Sequence, residues 1–460
     1  MGTKGVTFIF LVVVVPLVYS IAAAAFSDQQ FTFAYFFSLT IATGAYTLDR
    51  IRYQYPYFPL SDIGFIYVGT ILLYLLVPTL KFIVSGYEWG IFSDARLQLL
   101  NPNQSDLVPL LLNFNVYTIA FGATYIYFLK RAKIPIYPLI ASRVNATHLF
   151  ILLLLLFVTR FLFANAIGAS GEYGEKVTSV STLPLLVRQI YFFVQSFVFG
   201  VGFITITVAS FQYQKHKLVF WLVLGMFVIP PIATLGSRHE AFTFILLATV
   251  LYNSFVRTIP TLKIAFGGII LLSGMLILGF VRSYTDGGSI FLAANEFEAM
   301  FATFYEILAS PPPSPPLAVY FSDFLALFPQ QLLPFDKLDP GTWYMKQYFP
   351  EIADENPEIG FGFGVISEAA IGLGVLELAL RGALLGFLFA SLSNRFNGRN
   401  RNLLYAFIYL FCVVTVFRTF RASSFELIRS VVFNIVPAII IYKLLPMGRR
   451  RIAAADSPTP

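Results

Sequence analysis

The chain has 460 residues, 57% of them apolar and only 12% charged, with a mean hydropathy of +0.75 and a formal net charge of +7. Soluble domains carry about 25% charged residues, and here the apolar content runs the whole length, so a string of water-soluble domains is excluded. One cysteine, Cys412, and three scattered histidines, His148, His216 and His239, exclude a disulfide framework and offer no zinc-binding spacing. The positive balance fits basic loops beside a membrane better than a nucleic-acid partner.

A helix needs about 20 apolar residues to cross the hydrocarbon. Runs of that kind lie at 6–26, 31–48, 62–84, 108–129, 146–166, 188–211, 218–235, 240–257, 264–281, 366–392, 403–420 and 425–445. The first carries Lys4 before it and Ala22 to Ala25 at its end, as a signal peptide would. Its apolar run is longer than a signal sequence needs and a second run follows at once, so it reads as an uncleaved helix. The expected fold is all-α, a polytopic integral membrane protein with about twelve transmembrane helices. Residues 1–281 hold helices 1–9, 282–362 one long outer loop, 363–445 helices 10–12, and 446–460 a tail.

Orientation follows from lysine and arginine in the loops. With the N-terminus inside, the inner segments hold eighteen of the 31 basic residues and only two acids, Asp49 and Asp456. Both termini are then expected in the cytoplasm. The long loop reverses the balance, with eleven acids against Arg282, Lys337 and Lys346. Within it, residues 290–309 place Phe291, Phe297, Phe301, Phe304 and Ile307 as an amphipathic helix lying in the membrane interface would. Pro311 to Pro316 then impose a short polyproline stretch.

Arg160, Arg188, Arg238, Arg282, Arg418, Arg421 and Arg429 sit at or just inside the outer helix ends, where the charge bias discourages them. Arginine beside a membrane marks a polar cavity unless it is paired, and its planar fork suits phosphate oxygens. One reading is an anion pocket, centred on Arg238, Arg418 and Arg421. The other is snorkelling, or pairing with acids such as Glu240 and Glu426. Ser237 is placed to cap the helix that follows, whose free amides suit an anion, and His239 is a candidate proton acceptor. Glu368 lies near the outer end of an apolar helix. It is expected either to pair with an outer arginine or to act as a general base toward a sugar hydroxyl. Glu377 and Arg381, four apart, are expected to pair with each other.

Three segments resemble the bacterial oligosaccharide repeat-unit polymerases, the Wzy-type O-antigen and exopolysaccharide enzymes. They are Gly236-Ser237-Arg238; the run from Phe328-Pro329 through Asp336-Lys337 to Gly362-Phe363-Gly364, Ser367-Glu368-Ala369 and Gly372-Leu373-Gly374; and Arg418-Thr419-Phe420-Arg421 with Ser424-Phe425. Ala369-Ala370 and Ile371-Gly372 depart from the aromatic and the asparagine–phenylalanine–glycine often found there. The resemblance implies a GT-C-like polymerase/ligase architecture in the bacterial inner membrane. It implies transfer of a glycan from an undecaprenyl-pyrophosphate carrier to an incoming lipid-linked repeat unit at the periplasmic face. No cofactor or metal is implied, and a chain-length regulator protein is an implied partner beside membrane lipid. Glu368 and His239 then become the candidate catalytic residues, and Arg238, Arg282, Arg418, Arg421 and Lys337 the binders of pyrophosphate or glycan. An O-antigen ligase and a lipid-linked glycan flippase without chemistry remain the competing readings.

The expected orientation is tested by alkaline phosphatase fusions, which are active only outside the cytoplasm. A fusion after Lys263 should be inactive and one after Ser310 active; the opposite pair of results would invert the topology.

Overall fold

The computed structural model describes residues 29–55, 59–88, 95–130, 146–168, 183–233, 238–260, parts of 262–274, 295–325, 327–328, 334, 338–351, 363–397, 403–421 and 426–444. For Arg238, His239, Arg421 and Glu426 it describes the backbone alone. The described residues are helical, without a strand. Among the described residues, five helical stretches, Ile63–Val84, Ser105–Phe128, Ala146–Ala166, Leu186–Phe211 and Val375–Phe396, are long and apolar enough to cross a membrane. The expected first span and the tail from 446 lie outside the described residues, and the ninth span lies there for the most part.

In chain order the helices are α1 (Gln29–Gln54), α2 (Ile63–Val84), α3 (Ala95–Leu100), α4 (Val108–Phe128), α5 (Ala146–Ala166), α6 (Leu185–Phe211), α7 (Tyr213–Ala233) and α8 (Arg238–Leu251). After them come α9 (Asn295–Ala309), α10 (Pro340–Tyr348), α11 (Gly364–Ala370), α12 (Val375–Phe396), α13 (Leu403–Thr415), α14 (Phe417–Arg421), α15 (Glu426–Ser430) and α16 (Val436–Leu444). A π-helical turn, Val431–Ile435, joins the last two into one path.

One packed group is built on α4. Gly382 and Gly386 of α12 face the Tyr117 and Phe121 carbonyls of α4, where an added Cβ would come within 2.9 and 2.6 Å. Small residues four apart let two backbones approach this closely, which is how helices associate without a hydrophobic drive. α1 reaches α4 through Gly122, which leaves room for Thr47. α2 lies along the same helix through Tyr67, whose hydroxyl is 2.6 Å from that of Tyr117. A second group contains α5 to α8. Here Phe227 and Phe244 stack at 3.8 Å, and Gly200 of α6 admits the Asn434 carbonyl of the π turn. α13 joins the groups: Tyr409 stacks on Phe396 of α12 at 4.2 Å, and Phe411 meets Phe203 of α6 at 5.5 Å.

Two sequence expectations change. The span expected at 366–392 is broken: α11 ends at Ala370 and α12 begins at Val375. Gly374, at φ +62°, sets the turn ahead of α12 with its amide on the Ala369 carbonyl at 2.9 Å, and a positive φ of this kind favours glycine. The expected interfacial helix is α9, and its apolar face is packed on protein. Met300, Phe301, Phe304 and Ile307 are buried, Phe297 meets Tyr74 of α2 at 4.8 Å, and Phe304 meets Phe114 of α4 at 6.4 Å. Phe291 lies outside the described residues. Amphipathicity states that one face is buried and leaves open what buries it. Other apolar residues stay exposed, such as Leu155, Phe161 and Leu162 on α5 and Leu376, Leu380 and Leu384 on α12.

Gly386→Leu should drive α4 and α12 apart and cost about 1–3 kcal/mol of stability, the usual penalty of overpacking. Thermal unfolding in detergent measures it, and an unchanged midpoint would mean that the glycine seam carries no packing.

Candidate functional site

α8 and α11 both meet α14. Phe417, its first residue, sits edge-on to Phe242 at 5.7 Å, one turn into α8 from Arg238. Phe420 is fully buried and packs on Tyr74 at 5.3 Å and Phe114 at 5.9 Å. Gly364, which opens α11, lies against the Phe420 carbonyl at φ +73°, and a Cβ there would fall 2.1 Å from that oxygen. Only glycine combines this backbone angle with that approach. Four residues along α11 is Glu368.

Glu368 is buried and accepts from Arg381 Nη1 at 2.6 Å. The same guanidinium donates from Nε to Glu377 Oε1 at 2.7 Å, with Nη2 2.6 Å from that oxygen. The expected Glu377–Arg381 pair therefore exists, and Glu368 joins it by way of the helix break. The expected alternative, Glu368 paired with an arginine at an outer helix end, gives way to Arg381 on the adjoining helix. Ser367 and Thr419, fully buried on α11 and α14, hold side-chain oxygens without a hydrogen-bond partner among the described residues.

Among the expected anion binders, Arg418 donates to Ser430 Oγ at 3.0 Å and so ties α14 to α15. Arg421 closes α14, and Arg238 and His239 open α8; their side chains lie outside the described residues, as do Arg282 and Lys337 altogether. Arg160 takes the pairing alternative: it reaches Glu240 at 3.2 Å, where Gln195 Nε2 also donates at 2.9 Å. Those contacts hold the first turn of α8 to α5 and α6.

Two further basic residues, absent from the sequence reading, hold the loop helix. Lys81 near the end of α2 forms a buried ion pair with Glu298 of α9. Arg96 of α3 donates to Thr303 Oγ1 at 2.8 Å, to the Ala299 carbonyl at 3.0 Å and to the Tyr344 hydroxyl at 2.7 Å, and lies 3.9 Å from Glu306. Tyr344 donates in turn to Glu306. Burial pushes the Tyr344 phenol above its ordinary range; Arg96 opposes that shift and Glu306 adds to it. These partners lie some 200 residues apart or more, and no local spacing announces them. Arg381 did carry a signal, its four-residue offset from Glu377, but that signal says nothing of Glu368.

No family model matches the chain, and neither a curated protein nor a solved structure does.

Lys81→Met leaves Glu298 buried without its partner, so it should cost about 3–5 kcal/mol. Adding Glu298→Leu should return most of that loss. A double variant no more stable than Lys81→Met alone would show that the pair does not dock α9.

Proposed function

We propose that the chain is a membrane glycan transferase, and specifically a polymerase of undecaprenyl-pyrophosphate-linked oligosaccharide repeat units. In this reading it spans the bacterial inner membrane about twelve times, with both termini cytoplasmic and the 282–362 loop in the periplasm. The observation that carries the reading is the meeting of the α8 start, the Gly364–Glu368 turn and the arginine-bearing α14. These belong to the segments in which the sequence resembles the repeat-unit polymerases, and their spread along the chain, from 238 to 421, leaves no reason for their proximity but the fold.

The chemistry then divides among them. An acceptor sugar hydroxyl attacks the anomeric carbon of the carrier-bound glycan, the new C–O bond forms, and the bond from that carbon to the pyrophosphate breaks. The hydroxyl proton passes to a side-chain base, His239 or Glu368. The departing lipid pyrophosphate takes the electron pair, and guanidinium groups offset its charge without a metal. Arg238, Arg282, Arg418, Arg421 and Lys337 fill that role. A fork that binds two oxygens at once also explains why arginine predominates over lysine in the set.

The deciding experiment supplies the purified protein with lipid-linked repeat units. Lengthening of the lipid-linked glycan is the expected result. Transfer only to lipid A would make it a ligase, and unchanged substrate that crosses a liposome membrane would make it a flippase. Arg238→Ala, Arg418→Ala and Arg421→Ala should each abolish polymer while the protein stays in the membrane, with lysine a poor substitute. Wild-type chain lengths in all three would remove the arginine site.

A further inference from the structure

An ion pair one helical turn long is complete with Glu377 and Arg381. Glu368 belongs to another helix and reaches the same guanidinium only because four residues, 371–374, turn α11 into α12. The turn is built for the contact. Glu377 Oε2 accepts the Leu373 amide at 2.8 Å and occupies the space where a Cβ on Gly372 would stand, 1.9 Å away. The Tyr320 hydroxyl, from the short helical turn Leu317–Tyr320 of the loop, donates to the Ile371 carbonyl at 3.3 Å. With Glu377 fixed by backbone, its Oε1 holds the Nε and Nη2 edge of Arg381. A guanidinium is planar and rigid, so fixing one edge sets the direction of the remaining nitrogen. That nitrogen, Nη1, points at Glu368. The backbone behind Arg381 is held as well, since Gly382 is pressed against the Tyr117 carbonyl.

We infer that Glu377 and Arg381 are positioning residues for Glu368: the Leu373 amide anchors Glu377, Glu377 aims the guanidinium, and the guanidinium holds the Glu368 carboxylate at the break. The inference rests on the reading of Glu368 as part of a glycan-transfer site, and it names the side chains that hold that carboxylate. Among the described residues, the Tyr67 hydroxyl from α2 and the Tyr117 hydroxyl from α4 also lie in the electrostatic neighbourhood of Glu368. On the remaining helices packed against α11, Glu298 of α9 is engaged by Lys81 and Arg418 of α14 by Ser430. The cluster is not sealed: its three side chains keep 9%, 14% and 14% exposure for Glu368, Arg381 and Glu377. Leu373, Leu376 and Leu380 are exposed beside it. A ligand or reagent that partitions into lipid therefore has a way in.

A lipid-soluble carbodiimide tests the arrangement without any assay of function, because it attacks a carboxyl that has lost its cationic partner. The full-length protein is labelled in detergent and Glu368 is read by peptide mass spectrometry. Arg381→Met should raise labelling of Glu368 about tenfold, the low end of what a neighbouring guanidinium does for a carboxylate. Glu377→Ala, which keeps Arg381 but frees its fork, should raise it about threefold, and Arg381→Lys should fall between wild type and Arg381→Met. Should Arg381→Met fail to fold, Glu377→Ala and Arg381→Lys carry the same comparison. Labelling of Glu368 at the wild-type level in the folded variants overturns the inference.

Polymerisation kinetics form the second arm. Arg381→Met should lower kcat about a hundredfold with KM little changed, as loss of an interaction made at the transition state requires. A wild-type protein that makes no polymer, with the labelling response intact, removes the glycan-transfer reading and leaves the positioning cluster standing. Polymer from the wild type with no labelling response does the reverse.

Discussion

Inside an apolar bundle every polar group must find its partner within the protein, because hydrocarbon supplies none. Asp62 shows the constraint most plainly. It is fully buried at the start of α2, where it caps the helix through the Phe65 amide at 2.8 Å. Its other acceptor sites are taken by hydroxyls from three further segments: Tyr55 after α1, Tyr125 of α4 at 2.7 Å, and Ser393 of α12 at 3.1 Å. Tyr409 of α13 extends the network to the Ser61 carbonyl at 2.8 Å. One carboxylate thus ties α2, α4 and α12 together, and α12 carries Glu377 and Arg381 near its other end.

The far ends of the same helices obey the constraint differently. On α2 and α12 the polar groups there are ion pairs, Lys81 with Glu298 and Arg381 with Glu368 and Glu377, and in the second group Arg160 of α5 pairs with Glu240 of α8. Lys81–Glu298 and Arg160–Glu240 link segments distant along the chain, whereas both contacts of Arg381 stay within α11 and α12. A buried pair adds little net stability relative to an apolar packing, yet losing one member is costly, so such pairs act as registration devices. In this chain they register the loop helix α9 on α2, the first turn of α8 on α5, and α11 on α12. Close packing does the complementary work where no charge is present, through Gly382, Gly386 and Gly364.

The sequence made the helices legible because crossing apolar solvent demands a long apolar run, and that demand is local. Expected spans at 62–84, 108–129, 146–166 and 188–211 coincide with α2, α4, α5 and α6 to within three residues at either end. The Glu377–Arg381 pair was legible for the same reason, since four residues make one helical turn. The break at 371–374 was not. Glycines at 372 and 374 are compatible with a continuous membrane helix, and it is the folded chain that sets Gly374 at φ +62° and gives the Leu373 amide to Glu377.

By itself, then, the sequence determined an all-helical, membrane-type chain, the amphipathic character of α9 and the segments that bear chemical groups. Tertiary structure alone decided that α9 buries its apolar face against Tyr74 and Phe114, that Glu368 shares a guanidinium with Glu377, and that α8, α11 and α14 converge. The division has one cause. Periodicity and hydropathy report the solvent that each segment prefers, whereas partner choice depends on which distant segment arrives with the matching shape and charge.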